Sequence, residues 1–446
     1  MTRNERIAAG KGLRDSVRRS THAVWTEPTR GRDPIAVLEA SNEGRVPELI
    51  PIRYGRMLRS PFAFLRGSAA LMARDLAGTP TTGIRVQACG DCHLLNFGLF
   101  ATPERHLVFD LNDFDETHPA PWEWDVKRLT ASFAVAARDS GFPDRLGRRA
   151  AVACARSYRE HLAQYAAMSP LDVWYQRLDF ADLVATAPDA KATRFRERLA
   201  AKARRRVVDH LFPKLADVGG DRARIVDQPP LLFHVREEDW EDRVRDGLAA
   251  YRESLSDDRR VLLDRYRLED SAVKLVGIGS VGTRCHIALF RADGEHPLIL
   301  QFKEARRSVL EPHTDSNPHE NQGKRVVLGQ RLMQSSSDIF LGWARGRRGF
   351  DFYVRQLRDM KMSLPVEGFE AVQLERYAVL CGCVLARAHA KSGDGARIAG
   401  YLGRSEAFEQ ALGDFALAYA DQTERDHAAL VEAVRTHRVE ALAEDG

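Results

Sequence analysis

Asp91 and Asn96 stand five residues apart in "CGDCHLLNF", residues 89–97. That is the D-x-x-x-x-N spacing of a phosphoryl-transfer loop, in which the acid accepts or orients a hydroxyl proton and the amide ligates Mg²⁺. Further on, Asp113-Phe114-Asp115 closes a β-type run. An acid at such a strand end can hold a Mg²⁺ that bridges two phosphates. Asp110, Asp113, Asp115 and Glu116 crowd into one short stretch. They repel one another unless a cation or hydrogen-bond donors offset them. The bland alternative is a solvated acidic turn. His93 is expected to pack under the loop, with metal ligation as its other reading. Asp125, in "PWEWDVKRL", either opens a helix, where the dipole favours an acid, or bonds back to the backbone of the 89–96 loop.

The same loop fits two other chemistries on spacing alone. Cys89-Gly-Asp-Cys92-His93 has the C-x-x-C-H order of covalent haem attachment, and Cys89 with Cys92 has that of a redox pair. Haem attachment of this type belongs to exported proteins, and the polar, charged first 25 residues carry no apolar signal core. A cytoplasmic location is expected, where thiols stay reduced. Six cysteines in 446 residues make no disulfide framework. Cys89 and Cys92 are therefore read as small buried fillers, as are Cys381 and Cys383 in a helical pattern.

A second constellation lies far downstream. "GIGSVGTR" sets Gly277, Gly279 and Gly282 at G-x-G-x-x-G spacing, with Ser280 between them. A dinucleotide fingerprint runs from a strand into a helix. Here "TRCHIALF" follows, a β-type run, so the turn joins two strands. A Gly-rich flap between strands lets backbone N–H groups approach nucleotide phosphates. A Gly-rich hairpin without a ligand is the alternative. Lys303 follows in "LILQFKEA", one strand on. A Lys in an apolar strand needs a partner, and in this arrangement it would hold phosphates while pairing with a Glu of the next helix. Glu320 is the first candidate and Glu311 the second; Gln330 is better centred but uncharged. An edge-strand Lys in water is the alternative.

The elements that must position these residues are legible from periodicity. A helix is expected over 60–78, a short strand or loop at "GIRVQACGD", a strand through Leu107, Phe109 and Leu111, and helices over 122–141 and 144–168. Residues 170–268 read as mostly helical. From about 270 the order is strand, Gly-rich turn, strand, strand, helix (320–337), strand, strand, before helices over 373–391 and 405–437. Four regions follow: an irregular segment 1–45, a helical lobe 46–268 with the catalytic and metal loops, a small β lobe 269–360, and helices 361–446 returning to the large lobe. Composition agrees with a globular protein of 44% hydrophobic and 29% charged residues. The 63 acids nearly cancel the 67 bases, so no field argues for a nucleic acid or a membrane surface. The basic run 202–207 lacks interleaved aromatics and reads as a solvated helix face.

"GDCHLLNFG", "VFDLNDFDE", "WEWDVKRL", "GKRVVLGQRLMQ" and "YVRQLRDMK" together resemble the bacterial "domain of unknown function 2252" family, over nearly the whole chain. Within it, "GDCHLLN", "NDFD" and "WEWDVKRL" are similar to aminoglycoside and choline kinase-type phosphotransferases. The resemblance implies Asp91 as catalytic base, Asn96 and Asp113 as magnesium ligands, and Asp125 as loop anchor. Two departures stand out. Cys89 replaces the His that precedes the Gly in those enzymes, and the flap with its Lys follows the catalytic loop instead of preceding it.

The expectation is an α+β, two-lobed, protein-kinase-like fold in circularly permuted order. Its small lobe has five strands and one helix, and its large lobe is mostly helical. It would bind ATP and Mg²⁺ and transfer a phosphoryl group, or the nucleotidyl part, to a hydroxyl of a small-molecule acceptor. Two alternatives are a nucleotide-binding pseudokinase that serves a protein partner, and a metal-dependent hydrolase built from Asp91, His93, Asp110, Asp113 and Asp115.

Overall fold

The computed structural model of the protein describes residues 1–27, 31–218, 222–235, 237–275, 277–279, 281–357 and 359–442. About 53% of the chain is helix and 15% strand, so helices build most of the core and the strands chiefly carry loops. The strands are β1 (Arg85–Ala88), β2 (Phe97–Ala101), β3 (Leu107–Leu111), β4 (His118–Pro121), β5 (Ala216–Asp217), β6 (Arg224–Ile225), β7 (Leu232–Phe233), β8 (Arg267–Lys274), β9 (Cys285–Ala292), β10 (His296–Glu304), β11 (Gly342–Arg345), β12 (Asp351–Gln356) and β13 (Met362–Ser363). Among the described residues they form several small antiparallel sheets: β1-β4, β13-β2-β3, β5-β6 and a six-stranded sheet in the order β11-β12-β10-β9-β8-β7.

The six-stranded sheet contains the five strands expected from residue 270 onward, with β7 added at the β8 edge. Its two faces are packed differently. Phe302, Leu300 and Leu298 of β10 share one face with Ala288, Phe290 and Val354, under Tyr251 of the Trp240–Glu253 helix and Phe340. Lys303, Gln301 and Ile299 lie on the other, beside Cys285, Ile287, Leu289 and Tyr353. The helix between β10 and β11 runs over Gln322–Met333, and Asn321 caps it by accepting from the Lys324 N–H at 2.9 Å.

One core ties the loop-bearing strands to the long helices. Trp122, Phe133, Tyr158, Tyr377, Leu385 and Phe415 belong to it, from the helices Trp122–Asp139, Asp144–Tyr165, Ala371–Ser392 and Ala407–Arg435, together with Phe97 and Phe109 of β2 and β3. The C-terminal helices thus pack against the 85–165 region. Close approach makes this possible: a Cβ on Gly382 would sit 2.3 Å from the Cys154 carbonyl oxygen.

Three local expectations fail. Residues 1–45, read as irregular, contain a helix at Arg3–Gly12 and another at Pro34–Ala40. Thr2 and Glu5 form a capping box on the first, and Asp33 caps the second through the N–H groups of Ile35 and Ala36. The helix expected over 60–78 is two, Pro61–Gly67 and Ala69–Ala77, broken at Ser68. The break exposes carbonyls that other residues use: Arg128 donates to Leu65 O and Arg53 to Gly67 O. A further helix, Gly395–Leu402, lies in a stretch where none was expected.

Candidate functional site

The register of two hairpin-like pairs brings the acidic segments together. Phe97 pairs with Leu111 across β2-β3, so Asn96 and Asn112 flank that rung, and the Asn112 N–H donates to Asn96 O at 2.8 Å. Ala88 pairs with His118 across β1-β4, which sets the start of the 89–96 loop beside the end of the 112–117 turn. The Thr117 hydroxyl closes that gap by donating to Ala88 O at 2.6 Å.

Asp125, in the first turn of the Trp122–Asp139 helix, fixes the loop. It accepts the Cys89 N–H at 2.6 Å and the Gly90 N–H at 3.0 Å. His389 Nε2 lies 3.2 Å from the same carboxylate, and its Nδ1 lies 2.8 Å from the Tyr158 hydroxyl. Both contacts are satisfied when Nε2 donates and Nδ1 accepts the Tyr158 O–H. Gly90 has φ +87°, and a Cβ there would come within 2.3 Å of Glu116 O, so only glycine fits. Both readings of Asp125 hold: it stands in the first turn of the helix and bonds to the loop backbone.

Asp91 points into a cavity of about 740 Å³ that it shares with His93, Asn96, Asp113 and Asp115. Arg128, one turn after Asp125 on the same helix, donates to Asp91 Oδ1 through Nε at 2.7 Å and again through Nη2. His93 is 5% exposed and caps the Leu94–Asn96 turn by accepting the Leu95 N–H at 3.2 Å. Burial pushes its pKa down to about 3, so it is a neutral imidazole packed under the loop. Asn96 donates its amide N–H to Asp91 O, which leaves its amide oxygen as the free acceptor.

The remaining acids divide by partner. Asp110 is buried and bound by Arg387 at 2.6 Å and by the Ser335 N–H and hydroxyl at 2.8 and 2.7 Å. Glu116 accepts the Val309 N–H at 2.8 Å. Asp115 meets Lys303 Nζ in a close ion pair and accepts the Tyr353 hydroxyl at 2.7 Å. Among the described residues Asp113 accepts only the Asp115 N–H, at 3.4 Å. Burial acts to raise the Asp113 carboxyl, but Lys303, Arg355 and Lys361 together outweigh it and hold the group below the usual carboxylate range. Burial likewise opposes the Lys303 charge, and Asp113 and Asp115 more than reverse it, holding the ammonium above its ordinary value.

Glu320 and Glu311 do not serve Lys303. Glu320 is exposed just before the Asn321 cap, and among the described residues only its backbone carbonyl is engaged, by Arg345 at 2.7 Å. Glu311 pairs with Arg307 at 3.1 Å. The physical reason lies in the helix that follows. It turns a cation toward the cleft: Arg325 donates to the carbonyls of Thr117, of Asp115 at 2.8 Å and of Arg306 at 2.8 Å. The carboxylate for Lys303 therefore comes from the 112–117 turn, 188 residues away in the chain. Gln330 bonds Gln334 at 2.9 Å instead.

Gly277 and Gly279 line the same cavity. Gly277 and Gly282 have φ of +69° and +87°. The turn is held down by the 45–56 segment: Arg56 donates to Gly277 O, Arg45 to Val281 O, and the Val46 N–H to Gly282 O at 2.8 Å. Ser280 lies outside the described residues.

Sequence reasoning missed Arg128, Tyr353, Arg355, Lys361 and His389. Arg128 carried a signal, since it lies one helical turn from Asp125. Tyr353 and Arg355 did too, because strand alternation places both on one side of β12. Lys361 and His389 gave none, for tertiary packing alone brings them here.

All six cysteines are free and buried, and burial pushes the Cys92 thiol well up, away from thiolate chemistry. Cys89 Sγ lies 3.3 Å from Asp113 O, joining the two loops. Among the described residues no three His, Cys, Asp or Glu side chains stand together as a metal-binding group. No described helix is long and apolar enough to cross a membrane.

No curated protein and no solved structure matches the chain. One family model does match, over residues 45–433, and its range takes in Asp91, Asp113, Gly277 and Lys303 alike. The chain belongs to that family, described as an uncharacterized protein conserved in bacteria, domain of unknown function 2252.

Proposed function

We propose that the protein is an ATP- and Mg²⁺-dependent phosphotransferase of kinase-like, circularly permuted, two-lobed architecture, acting on a hydroxyl of a small-molecule acceptor. One observation carries the reading: the Asp91–Asp115 segment and the Gly277–Thr283 turn line a single cavity, and Lys303, one strand on from that turn, pairs with Asp115 of its lining. Either segment alone is weak evidence, and their meeting is what a nucleotide site requires.

Each side chain has a part in it. Lys303 and the Gly277–Gly282 turn would hold the phosphates. Asp91 would accept the acceptor's proton, oriented by Arg128 through one oxygen. Asn96 and Asp113 fit a divalent cation, because both line the cavity with a side-chain oxygen to give and, among the described residues, Asp113 has one long hydrogen bond. Mg²⁺ suits two protein oxygens, since phosphates and water complete its shell. When bound, the ion would neutralise charge on the phosphates. Asp110 is withdrawn to Arg387, which weakens the five-residue hydrolase alternative.

One observation favours the binding-module reading. Next to Lys303 on its sheet face, Ile299, Ile287 and Leu289 pack under Leu215 and Ile225, so that face is not open to a base. A module would bind nucleotide without turnover.

The test is titration with a non-hydrolysable ATP analogue and Mg²⁺, followed by ADP release over a panel of hydroxyl acceptors. Lys303→Met is expected to weaken analogue binding at least about tenfold, as loss of a charge-assisted contact does. Asp91→Asn is expected to keep binding and to lower turnover about 10²–10⁴-fold. Analogue binding indifferent to Lys303→Met would sink the proposal.

A further inference from the structure

The cavity has a wall that the phosphotransfer reading does not use. Arg45, Arg53, Arg66 and Arg306 all line it. None of the four makes an ion pair among the described residues. Arg45 donates to the carbonyls of Ser41 at 3.1 Å and of Val281. Arg53, 2% exposed, donates to the Asn42 amide oxygen at 2.5 Å and to Gly67 O at 2.7 Å. Arg306 donates to Ser41 O at 3.3 Å and to Glu43 O. Arg66 donates no hydrogen bond among the described residues and stands 6.0 Å from the Phe62 ring. The Nε atoms of Arg53 and Arg66 are both buried and unpartnered.

Three nearby carboxylates hold other donors, while Asp113 and Glu367 of the same lining act on Arg66 from a distance. Glu304 accepts the Arg284 N–H at 2.8 Å and its guanidinium at 3.2 Å, Glu116 accepts the Val309 N–H, and Asp91 holds Arg128. A guanidinium stays charged at any working pH. A buried charge with only neutral partners is costly, and a counter-anion removes that cost.

We infer that Arg45, Arg53, Arg66 and Arg306 form a site for a phosphate-class anion inside the cavity. This extends the phosphotransfer reading and rests on it for the source: the anion is a phosphate borne by the acceptor, so the substrate is a phosphorylated hydroxy compound. Position supports that assignment. Arg66 lies close enough to Asp91, Glu367 and Asp113 to feel all three charges, and a Cβ on Gly279 would meet Arg66 O at 3.4 Å, so Arg66 sits between the proposed base and the Gly-rich turn. Burial lowers the guanidinium pKa of Arg45 and Arg53; Arg53 and Arg306 add to it at Arg45 and Arg306 at Arg53, so the shift stays downward although Glu116 opposes it at both.

Inorganic phosphate is the probe, titrated calorimetrically into the full chain with and without a saturating ATP analogue and Mg²⁺. The wild type is expected to bind phosphate in both conditions. Arg66→Gln and Arg306→Gln are each expected to weaken that binding at least about tenfold. Arg66 donates no hydrogen bond among the described residues, so its variant should keep the wild-type thermal midpoint without phosphate. Phosphate bound beside the analogue supports the acceptor source. Phosphate displaced by the analogue keeps the anion site but assigns it to the nucleotide, which overturns the phosphorylated-acceptor part. Arginine-dependent phosphate binding with no analogue binding keeps the wall while the phosphotransfer reading falls. No phosphate binding, or binding indifferent to both substitutions, overturns the inference.

Discussion

Lys303 is the residue on which the cavity's electrostatics turn. It is 4% exposed at its side chain, and two carboxylates depend on it. Lys303→Met leaves Asp113 and Asp115 facing burial with less compensation, a change that costs about 3 kcal/mol when a buried pair is broken. The pH dependence has a definite sign. Asp113 is held below its unfolded value, so its contribution is complete above about pH 4 and is lost as pH falls through the folded value. Without Lys303 the carboxyl rises, and the loss starts at higher pH. Thermal midpoints measured from pH 7 to pH 3 should therefore break earlier in Lys303→Met than in the wild type. Curves that differ by a constant offset would contradict the assignment. At this scale the sequence was a partial guide. Asp91, Asn96, Asp113 and Lys303 were legible because spacing and alternation are local properties. The partner of Lys303 was not, since the rule of a Glu on the next helix cannot foresee that Arg325 occupies that place and that Asp115 arrives from elsewhere.

Among the elements, the N-terminal helix Arg3–Gly12 shows what periodicity cannot report. "IAAGKG" reads as loose chain because glycine weakens an isolated helix. The glycine instead permits a close crossing. A Cβ on Gly10 would lie 1.9 Å from Arg397 O, and one on Gly400 would lie 2.2 Å from Ile7 O. The helices Arg3–Gly12 and Gly395–Leu402 thus approach backbone to backbone, and Arg14 adds bonds to Tyr401 O at 2.8 Å and Gly400 O at 2.5 Å. Both helices were unexpected for the same reason, as each is stabilised by the other more than by its own residues. Gly400→Ala should force them apart at a cost of about 1–3 kcal/mol, as overpacking does. Urea unfolding reads the loss, and limited proteolysis should cut the variant within residues 1–15 first. A variant as protease-resistant as the wild type would refute the crossing. The strands of the large sheet were legible for the opposite reason, because β8, β9 and β10 are built of β-formers between turn residues and pair with near neighbours in the chain.

For the whole molecule, the meeting of two distant segments is a property of the core, not of either segment. Phe97 and Phe109 beneath the acidic loops pack with Tyr377 of the Ala371–Ser392 helix, and Val326 and Val327 of the Gln322–Met333 helix join the same core. A core this continuous also buries groups that must stay neutral. His22 is fully buried with Nε2 2.7 Å from the Tyr401 hydroxyl, and His93 lies under the loop. Burial pushes both to about 3, with Lys127 adding to the effect at His22. Such a group takes up a proton only in the unfolded chain as pH falls below about 6.5. Its stabilisation is complete above that pH and is lost progressively down to the folded value. By pH 5 each histidine accounts for about 2 kcal/mol of lost stability, an order-of-magnitude figure from the same linkage. His22 is remote in sequence from both site segments, so His22→Gln isolates one of the two. Its urea-derived stability should fall less steeply between pH 6 and pH 4, by about one proton, or about 1.4 kcal/mol per pH unit. Equal slopes in variant and wild type would mean that His22 is charged in the folded protein and does not pack as a neutral ring against Tyr401.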